Sequence, residues 1–467
     1  MKTKFFLITF FFIHTIYSQT SPTEIADAII KEGLTNQEAY TMLQELTSIG
    51  HRLSGSTQYA QAVEWAKKKM EQQKIDKVWL ESVTVPHWVR GEEKANIIIE
   101  DKKLDIAICA LGGSIGTSEK GITAEVIEVH SLEEAKALGE KAKGKIIFYN
   151  RPFDKTKVSP FEAYSGAVDQ RYSGAVEAAR VGAVAAIVRS MTNAIDNEPH
   201  TGMMAYNDSI PKIPTAAIST IAANQLSELI QKKKNPKIHL TLACKTLPDV
   251  ESYNVIGEII GSEKPEEIIL VGGHLDSWDK GTGAHDDGAG VVQSMEVLNL
   301  LKKLGLKPKR TIRAVLFANE ENGLRGAKVY AAKERSNEKH IAAIESDAGG
   351  FAPRGFGVAD TTKVEKIKQW SYLLEKIGAE KIRRGGGGAD ISTLRSKGTV
   401  LIGLNPEPQR YFDYHHTNHD TIDKVHPREL ELGAIAMTIL SKGPSTTNSA
   451  RQKICFQSQR ELLGQID

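Results

Sequence analysis

The sequence predicts an α/β protein in which a mainly parallel, mixed sheet is covered by helices on both faces and a smaller domain is inserted. Three observations lead to this prediction. The 467 residues are too many for one simple core and indicate two domains, or one large domain with an insertion. In the second half, apolar runs with strand character alternate with amphipathic helical segments, as in crossover units of parallel sheets. Between residues 116 and 244 the stretches are shorter and more β-like.

The first 18 residues predict a cleaved secretory signal peptide. Lys2 and Lys4 precede the apolar run 5–16, and Ser18 offers a small residue for cleavage. The alternative is an uncleaved membrane anchor, but the run is shorter than the ~20 residues that span a bilayer. We therefore expect a secreted or periplasmic protein.

The composition and net charge argue against two classes of binding partner. The hydrophobic content of 40% and the charged content of 25% are ordinary for a soluble globular protein. The formal net charge of +2 provides no basic field of the kind that nucleic acid or a membrane surface would require. We expect neither nucleic acid nor, after signal removal, a membrane as a partner.

The cysteines do not form a disulfide framework. Cys109, Cys244 and Cys455 are too few, and none has zinc-finger spacing. Cys109 and Cys244 are either joined by one bridge or, in the preferred interpretation, are buried free thiols.

Residues 19–115 are assigned to the first part of the main domain, with helices predicted from apolar spacing at 22–32, 38–49 and 56–73. Residues 116–244 are assigned to the insertion. Its β-like stretches 121–130 and 144–150, its helix at 174–188 and its proline-bounded segment 210–219 resemble the protease-associated domain that many secreted peptidases carry.

Residues 245–442 are assigned to the second part of the main domain. Strands are predicted at 266–273, 310–320, 340–347 and 399–406, and helices at 288–306, 324–336, 363–378 and 428–440. In such open sheets, function gathers in the crevice beyond the carboxyl ends of the strands. From residue 443 to 467 the pattern turns polar, and we expect a disordered tail.

Acidic and imidazole side chains follow the predicted strands at their carboxyl ends. Because parallel strands end at one edge, these groups should converge, and crowded carboxylates stay charged only if cations neutralise them. Imidazole nitrogens among carboxylates suit zinc, and a set too large for one tetrahedral ion suggests two metals ~3.5–4 Å apart with a shared carboxylate. In chain order the candidates are His274, Asp276, Asp286, Asp287, Glu320, Glu321, Asp347 and the histidine-rich stretch 414–421.

Four motifs carry a family resemblance. The stretches GGHLDSWDKGTGAHDDGAG, LFANEENGLRGA, ESDAGG and YHHTNHDTI resemble the metal-site motifs of the dizinc aminopeptidase and glutamate carboxypeptidase family. The resemblance spans roughly residues 20–440 and implies two Zn²⁺ ions per chain. It implies that His274 and Asp347 hold one zinc, that Glu321 and His416 hold the other, and that Asp286 bridges both.

The same resemblance implies catalytic roles for two further residues. Glu320 would be the general base that takes a proton from a zinc-bridging water and passes it to the leaving amine. Asp276 would orient the imidazole of His274 from behind.

Several neighbours compete with these candidates. Asp287 either caps the following helix or supports a ligand. His285 matches no ligand position and is interpreted as a loop residue. Among His415, His416 and His419, the family pattern selects His416, which lies four residues before Asp420.

The stretch 383–392 is a candidate substrate contact. In the family the equivalent stretch borders the substrate, so Asp390 is a candidate for a substrate ammonium group. Arg383 or Arg384 is a candidate for a free carboxylate through a bidentate contact. The competing interpretation of the glycine run 385–388 is a flexible loop.

The resemblance therefore implies a secreted zinc exopeptidase, either a carboxypeptidase or a dipeptidase, that hydrolyses dipeptides or short peptides. An aminopeptidase on the same fold is the nearest alternative. A glutaminyl cyclase with one zinc and a non-catalytic ectodomain remain as alternatives from other classes. The sequence is compatible with a homodimer but does not determine the oligomeric state.

Overall fold

The computed structural model describes residues 20–335 and 337–443, which form two eight-stranded sheets. The predicted signal peptide 1–18 lies outside the described residues, as does the predicted tail apart from Gly443. None of the helices in the described ranges combines the length and hydropathy that a membrane span requires.

The main sheet is mixed. Its four central strands are parallel, and the strands next to them run antiparallel to them. This arrangement brings the carboxyl ends of the central strands to one edge, as expected. In pairing order the strands are β1 (Lys77–Val89), β10 (Lys245–Ile259), β12 (Arg310–Phe317), β11 (Lys264–His274), β13 (Lys339–Glu345), β16 (Val400–Pro406), β14 (Pro353–Val358) and β15 (Lys381–Arg384).

Helices cover both faces of the main sheet. Alternate residues of a strand point to opposite faces, and on β12 Ala314 and Leu316 enter one core whereas Val315 and Phe317 enter the other. The predicted fold class is therefore confirmed. The helices are α1 (Pro22–Asn36), α2 (Glu38–Ser48), α3 (Thr57–Gln72), α9 (Ala289–Lys303), α10 (Arg325–Ala332), α11 (Val364–Lys368), α12 (Tyr411–Tyr414) and α13 (Pro427–Lys442).

The structure differs from the sequence prediction in several elements. The helix predicted at 174–188 ends at Arg180, and residues 185–188 belong to the strand Ala185–Arg189. Strands β1, β10, β14 and β15 were not predicted. The helix predicted at 363–378 is broken into α11 and the two 3₁₀ turns Ser371–Leu373 and Glu375–Ile377. Ile367, Trp370 and Leu374 keep helical spacing through this region, so the periodicity does not reveal the break.

The second sheet, with its helices, is called the inserted unit below. Its first strands precede residue 116, and the main sheet resumes at Lys245. The boundaries 116–244 and the resemblance to a protease-associated domain stay predictions. The strands, in pairing order, are β3 (Lys102–Ile106), β2 (Glu93–Ile99), β9 (Lys237–Leu242), β5 (Ile122–Val129), β6 (Ile146–Tyr149), β7 (Ala185–Arg189), β8 (Thr215–Ile218) and β4 (Ile108–Ala110). The helices are α4 (Leu132–Leu138), α5 (Pro160–Ser165), α6 (Val168–Tyr172), α7 (Gly174–Arg180) and α8 (Thr220–Gln231).

Buried contacts fix the inserted unit against the main unit. The guanidinium of Arg90, which follows β1, donates to both carboxylate oxygens of Asp279 at 2.8 and 2.6 Å. It also donates to the carbonyl of Ala110 at 2.6 Å and to the hydroxyl of Thr201 at 3.1 Å. Trp278 of the main unit packs into the core of the second sheet. The edge of the main sheet therefore faces the inserted unit.

Cys109 and Cys244 are buried free thiols. The structure thus supports the preferred interpretation, and the alternative bridge between them is not formed. Cys455 lies outside the described residues.

Candidate metal centre and adjoining cavities

The five predicted metal ligands lie at the carboxyl edge of the main sheet. His274 is the last residue of β11, and Asp347 is the second residue after the end of β13. Glu321 follows β12, and Asp286 lies in the turn Ala284–Gly288 before α9. His416 follows α12. Strands, turn and loop meet at this edge, so the structure brings all five side chains together.

Asp286 lies between the two histidines. Its Oδ1 is 3.2 Å from Nε2 of His274, and its Oδ2 is 3.2 Å from Nε2 of His416. Asp347 Oδ1 lies 3.6 Å from Nε2 of His274, and Glu321 Oε2 lies 3.1 Å from Nε2 of His416. Asp286 thus occupies the position of a carboxylate shared by two groups of ligands.

The donor set fits cations. Nδ1 of His274 lies 3.0 Å from the carbonyl oxygen of Asp276, and Nδ1 of His416 lies 3.2 Å from the carbonyl oxygen of Thr201. Because a carbonyl only accepts, each Nδ1 carries the proton, and in the neutral ring Nε2 presents a lone pair to carboxylate oxygens. Lone pairs that face one another at these distances require a cation or added protons between them. Mixed imidazole and carboxylate donors suit zinc.

The ionisation of the cluster leads to the same conclusion. Burial, together with the charge of Asp286, raises the pKa of Glu321 to about 7. Burial lowers the pKa of His416, but the charge of Glu321 and hydrogen bonds to carboxylates outweigh it and raise that pKa to about 10. Burial would also raise the pKa of Asp286, yet the hydrogen bonds from both histidines lower it well below its usual value. Without a metal, protons therefore take the place of cations.

Asp276 supports the site in two ways. Its carboxylate accepts hydrogen bonds from the main-chain N–H groups of Glu320 at 3.0 Å and Glu321 at 3.3 Å, and from Ser54 Oγ at 3.2 Å. Its carbonyl oxygen, rather than its carboxylate, holds Nδ1 of His274. Asp276 thus holds the segment that carries Glu320 and also faces His274.

Glu320 faces the cavity beside the ligands. It lies with Asp286, Glu321 and Asp347 on one cavity wall and is partly exposed. Burial and the negative charges of Asp347 and Glu321 raise its pKa well above the usual value for glutamate. A carboxyl group with a raised pKa is suited to exchange protons near neutral pH.

The loop that carries Asp286 is held by two carboxylates. Asp287 caps α9 and also supports a candidate ligand. Its carboxylate accepts hydrogen bonds from the N–H of Gly290 at 2.9 Å, in the first turn of α9, and from the N–H of His274 at 3.0 Å. Asp420 accepts from the N–H groups of His285 and Asp286 at 2.7 and 3.1 Å. Sequence analysis used Asp420 only to mark the register of His416 and missed this supporting role.

The remaining histidines are arranged as follows. His285 is buried, stacked on Phe351 with ring centroids 4.3 Å apart, and its Nδ1 accepts from the N–H of Gly350 at 3.1 Å. His415 stacks on His416, and its Nε2 lies 3.7 Å from Asp286, farther than that of His416. His415 nevertheless forms, with Asp286 and His416, one of the three triads among the described residues whose ligand atoms lie within 4.8 Å of one another.

Two cavities adjoin the cluster. The first, called the metal cavity, has a volume of about 480 Å³ and is lined by Glu320, Asp347 and His416 of the main unit and by Phe161, Arg171 and Met203 of the inserted unit. The second, called the side cavity, has about 530 Å³ and is lined by Glu345, Asp347, Arg354, Lys381, Arg383 and Phe161. Asp347 and Phe161 line both, so the cavities adjoin each other.

The three predicted substrate contacts lie in different environments. Arg383 lines the side cavity, whereas Arg384 is exposed and lines neither cavity. Asp390 is fully buried and also lines neither, with its N–H donated to Glu345 at 3.3 Å. In this structure Asp390 therefore does not face either cavity, where a substrate ammonium group would bind.

Sequence analysis missed Arg171. This residue lies on α6 of the inserted unit, 6% exposed, and lines the metal cavity. Its Nη2 donates to the hydroxyl of Tyr164 at 2.7 Å, while its Nε and Nη1 have no hydrogen-bond partner within the described residues. No motif surrounds it, and only the folding of the inserted unit onto the sheet edge brings it to the site.

Known proteins resemble this chain over most of its length. The model of peptidase family M28 matches residues 254–440. Carboxypeptidase Q of Mus musculus and that of Homo sapiens are each 39% identical over 424 residues, which cover 90% of this chain and 88% of each relative. A solved structure of a peptidase M28 precursor from Shewanella amazonensis SB2B is 35% identical, with a TM-score of 0.86, over 90% of this chain and 96% of that one. The motifs GGHLDSWD and ESDAG point within the predicted family to plasma glutamate carboxypeptidase, also called carboxypeptidase Q, and these relatives confirm that resemblance.

Proposed function

Because the chain belongs to peptidase family M28 and is a zinc metallopeptidase, we propose that it is an exported dizinc carboxypeptidase or dipeptidase acting on short peptides. Export is supported by the charged and apolar residues of the segment 1–18. Carboxypeptidase activity is supported by the names of the relatives and by Arg171, as argued below.

We assign the ligands as the geometry around Asp286 suggests. His274 and Asp347 would hold one zinc ion, Glu321 and His416 the other, and Asp286 would bridge them. When bound, the zinc ions polarise the scissile carbonyl and lower the pKa of the attacking water towards ~7.

Glu320 then acts as the general base. Its main chain is held by Asp276, so its carboxylate stays at the wall of the metal cavity beside the ligands. From there it accepts a proton from the attacking water and delivers that proton to the amine that leaves when the peptide bond breaks. The nucleophile is water, so the chain forms no covalent bond to the substrate.

The preference for a carboxyl terminus rests on Arg171. A buried guanidinium without a counter-ion is costly, and a ligand carboxylate that pairs with it removes that cost. Within the described residues no carboxylate forms an ion pair with Arg171, and its buried Nε and Nη1 have no hydrogen-bond partner. Because Arg171 lines the same cavity as Glu320, a peptide held there by its terminal carboxylate would place its last peptide bond near the metal cluster.

Blocked and unblocked peptides test this polarity. The zinc-loaded enzyme should hydrolyse a dipeptide with a free carboxylate and lose most activity when that carboxylate is amidated, whereas acetylating the amine tests the other end. Arg171→Met should raise KM for the free dipeptide about 10–100-fold, since a hydrogen bond to a charged group contributes about 1.5–3 kcal/mol, and should change kcat much less.

Arg189→Met is the matched control, because Arg189 is also a buried arginine of the inserted unit but pairs with Asn150 and Asn224 and does not line the metal cavity. Amidated dipeptides cleaved as well as free ones, with acetylated ones refused, would identify an aminopeptidase instead. An unchanged KM in Arg171→Met would remove Arg171 from carboxylate recognition.

A further inference from the structure

The two histidines of the metal centre are held by different parts of the molecule. Nδ1 of His274 donates to the carbonyl of Asp276, only two residues away on the same edge. Nδ1 of His416 donates to the carbonyl of Thr201, which is 215 residues away in the inserted unit. One imidazole is therefore oriented locally, and the other depends on the docking of the second sheet.

Thr201 contacts His416 through both of its main-chain polar groups. Its N–H donates to the carbonyl of His416 at 3.1 Å, and its own carbonyl accepts from the imidazole at 3.2 Å. His416 has a φ of 64°, in the left-handed region that non-glycine residues rarely adopt. A residue stays in this region only when its surroundings hold it there, and Thr201 supplies bonds to both its main chain and its ring.

The side chain of Thr201 is anchored in turn. The residue is fully buried, and its hydroxyl donates to the carbonyl of Ala110 at 2.9 Å and accepts from Nη2 of Arg90 at 3.1 Å. Arg90 also pairs with Asp279 of the main unit. The carbonyl that holds His416 is thus fixed at the junction where both units meet.

The next residue, Gly202, packs closely against the ring of His416. Gly202 has a φ of 136°, and a Cβ placed on it would collide with Arg171 and come within 2.8 Å of Nδ1 of His416. The backbone of the inserted unit therefore packs directly against the imidazole. A side chain at this position would displace either the ring or the guanidinium.

We propose that Thr201 is a positioning residue for His416, and that the inserted unit in this way completes the metal site formed by His416 and Glu321. The carbonyl fixes the ring orientation and the tautomer that directs Nε2 towards Glu321 and Asp286. At the other site, the hydrogen-bond partners of His274 among the described residues, Asp276 and Asp287, belong to the main unit. The proposal rests on the dizinc assignment made above.

Zinc affinity tests the proposal without measuring peptidase activity. Thr201→Val keeps the shape of the side chain but removes the hydroxyl that anchors the carbonyl. Competition with a chelator on the full chain should show one zinc ion bound about 10–100-fold more weakly, the range expected when a partner behind a ligand is lost, with the other ion unchanged. Thr201→Ser keeps the hydroxyl and should restore both affinities.

Thr220→Val is the matched control, since Thr220 is also fully buried in the inserted unit and its hydroxyl likewise makes two hydrogen bonds, to the main chain of Asp196. It should leave both affinities unchanged. If Thr201→Val misfolds, Gly202→Ala provides a second test and should weaken the same single ion.

The outcomes are distinguishable. Wild-type protein that binds no zinc would overturn the dizinc assignment itself. Wild-type protein that binds two ions, together with a Thr201→Val variant that retains both affinities or weakens both equally, would overturn only the role of Thr201.

Discussion

The main unit and the inserted unit bury different charges, since the main unit buries both carboxylates and cations such as Arg52, Arg90 and Arg313. Within residues 20–335 and 337–443, every buried carboxylate belongs to the main unit, whereas the buried charged side chains of the inserted unit are Arg171 and Arg189. The carboxylates crowd the sheet edge where cations would bind, and Arg171 lines the same cavity from the opposite side. The candidate metal centre and the proposed carboxylate contact therefore come from separate units, which meet at the junction. The buried carboxylates are Glu81, Glu258, Asp276, Asp286, Asp287, Glu296, Glu321, Glu345, Asp390, Asp420 and Glu431.

We expect the largest effect from a substitution among the carboxyl groups of the main unit. Glu320→Gln removes the proposed base but keeps the shape of the side chain and the main-chain bond to Asp276. We expect kcat to fall by roughly 10²–10⁴, the range for loss of a general base, while both zinc ions stay bound. Steady-state kinetics and metal analysis on the same sample measure this.

Glu334→Gln, an exposed substitution on the same unit, should leave kcat unchanged. Full activity in Glu320→Gln would show that another group moves the proton. Loss of metal from that variant would show that Glu320 serves as a ligand rather than as a base.

A second prediction asks whether the two units differ in stability as they differ in charge. Leu298 on α9 and Ile187 on β7 are both fully buried, one in the core of each unit. Leu298→Ala and Ile187→Ala should each lower the free energy of unfolding by about 2–5 kcal/mol, since each leaves a cavity. Urea unfolding of zinc-loaded protein measures both losses, and a much smaller loss for Ile187→Ala would indicate a looser second core.

A third prediction concerns a buried acid far from the metal cluster. Burial raises the pKa of Glu431 on α13 from 4.5 to about 7. Between these values the folded state keeps a proton that the unfolded state has lost, so Glu431 destabilises the fold increasingly as pH rises, by at most about 1.4 kcal/mol per pH unit. Its contribution is most favourable below pH 4.5, and Glu431→Gln should flatten this part of the pH dependence.

Unfolding free energies at about pH 5 and about pH 7, for wild type and Glu431→Gln, give the slope. The exposed substitution Glu365→Gln on α11 is the control and should keep the wild-type slope. Equal slopes in wild type and Glu431→Gln would mean that Glu431 titrates as it does in the unfolded chain.

The smallest effect is expected from the end of the chain. Truncation after Gly443 removes residues 444–467, whose polar pattern breaks with the amphipathic repeat of α13. Activity and melting temperature should not change. A large loss of either would show that the tail packs on the main unit.

The positions of the proposed ligands His274, Glu321 and Asp347 were predictable because each follows a strand that its own local sequence specifies, whereas Asp286 and His416 were assigned through the family resemblance. Apolar runs mark β11, β12 and β13, and the acids after them reach one edge once the strands are parallel. The sequence did not predict β1 and β10, which pair with each other over their full length and whose exposed residues interrupt the apolar pattern. Pairing between segments about 170 residues apart leaves no local periodicity to read.

The contributions of the inserted unit were beyond sequence reasoning for a different reason. Arg171 and Thr201 have ordinary local sequences, and their importance comes from the surface on which α6 and its neighbouring loop dock. Asp390 shows the converse, because the family resemblance placed it beside the substrate, whereas in the structure it is fully buried and lines neither cavity. Sequence motifs therefore identified the candidate metal ligands, whereas the candidate contacts from the inserted unit could be identified only from the tertiary structure.

The free thiols have a practical consequence. Burial raises the pKa of Cys109 to about 12 and that of Cys244 to about 11, so almost no thiolate is available at neutral pH. The described part of the fold, residues 20–335 and 337–443, therefore needs no oxidant to form. Expression in a reducing cytoplasm should yield the same architecture as export through an oxidising compartment. Reductants added during purification should be chosen by how weakly they compete for zinc, since Cys109 and Cys244 form no disulfide that they could reduce.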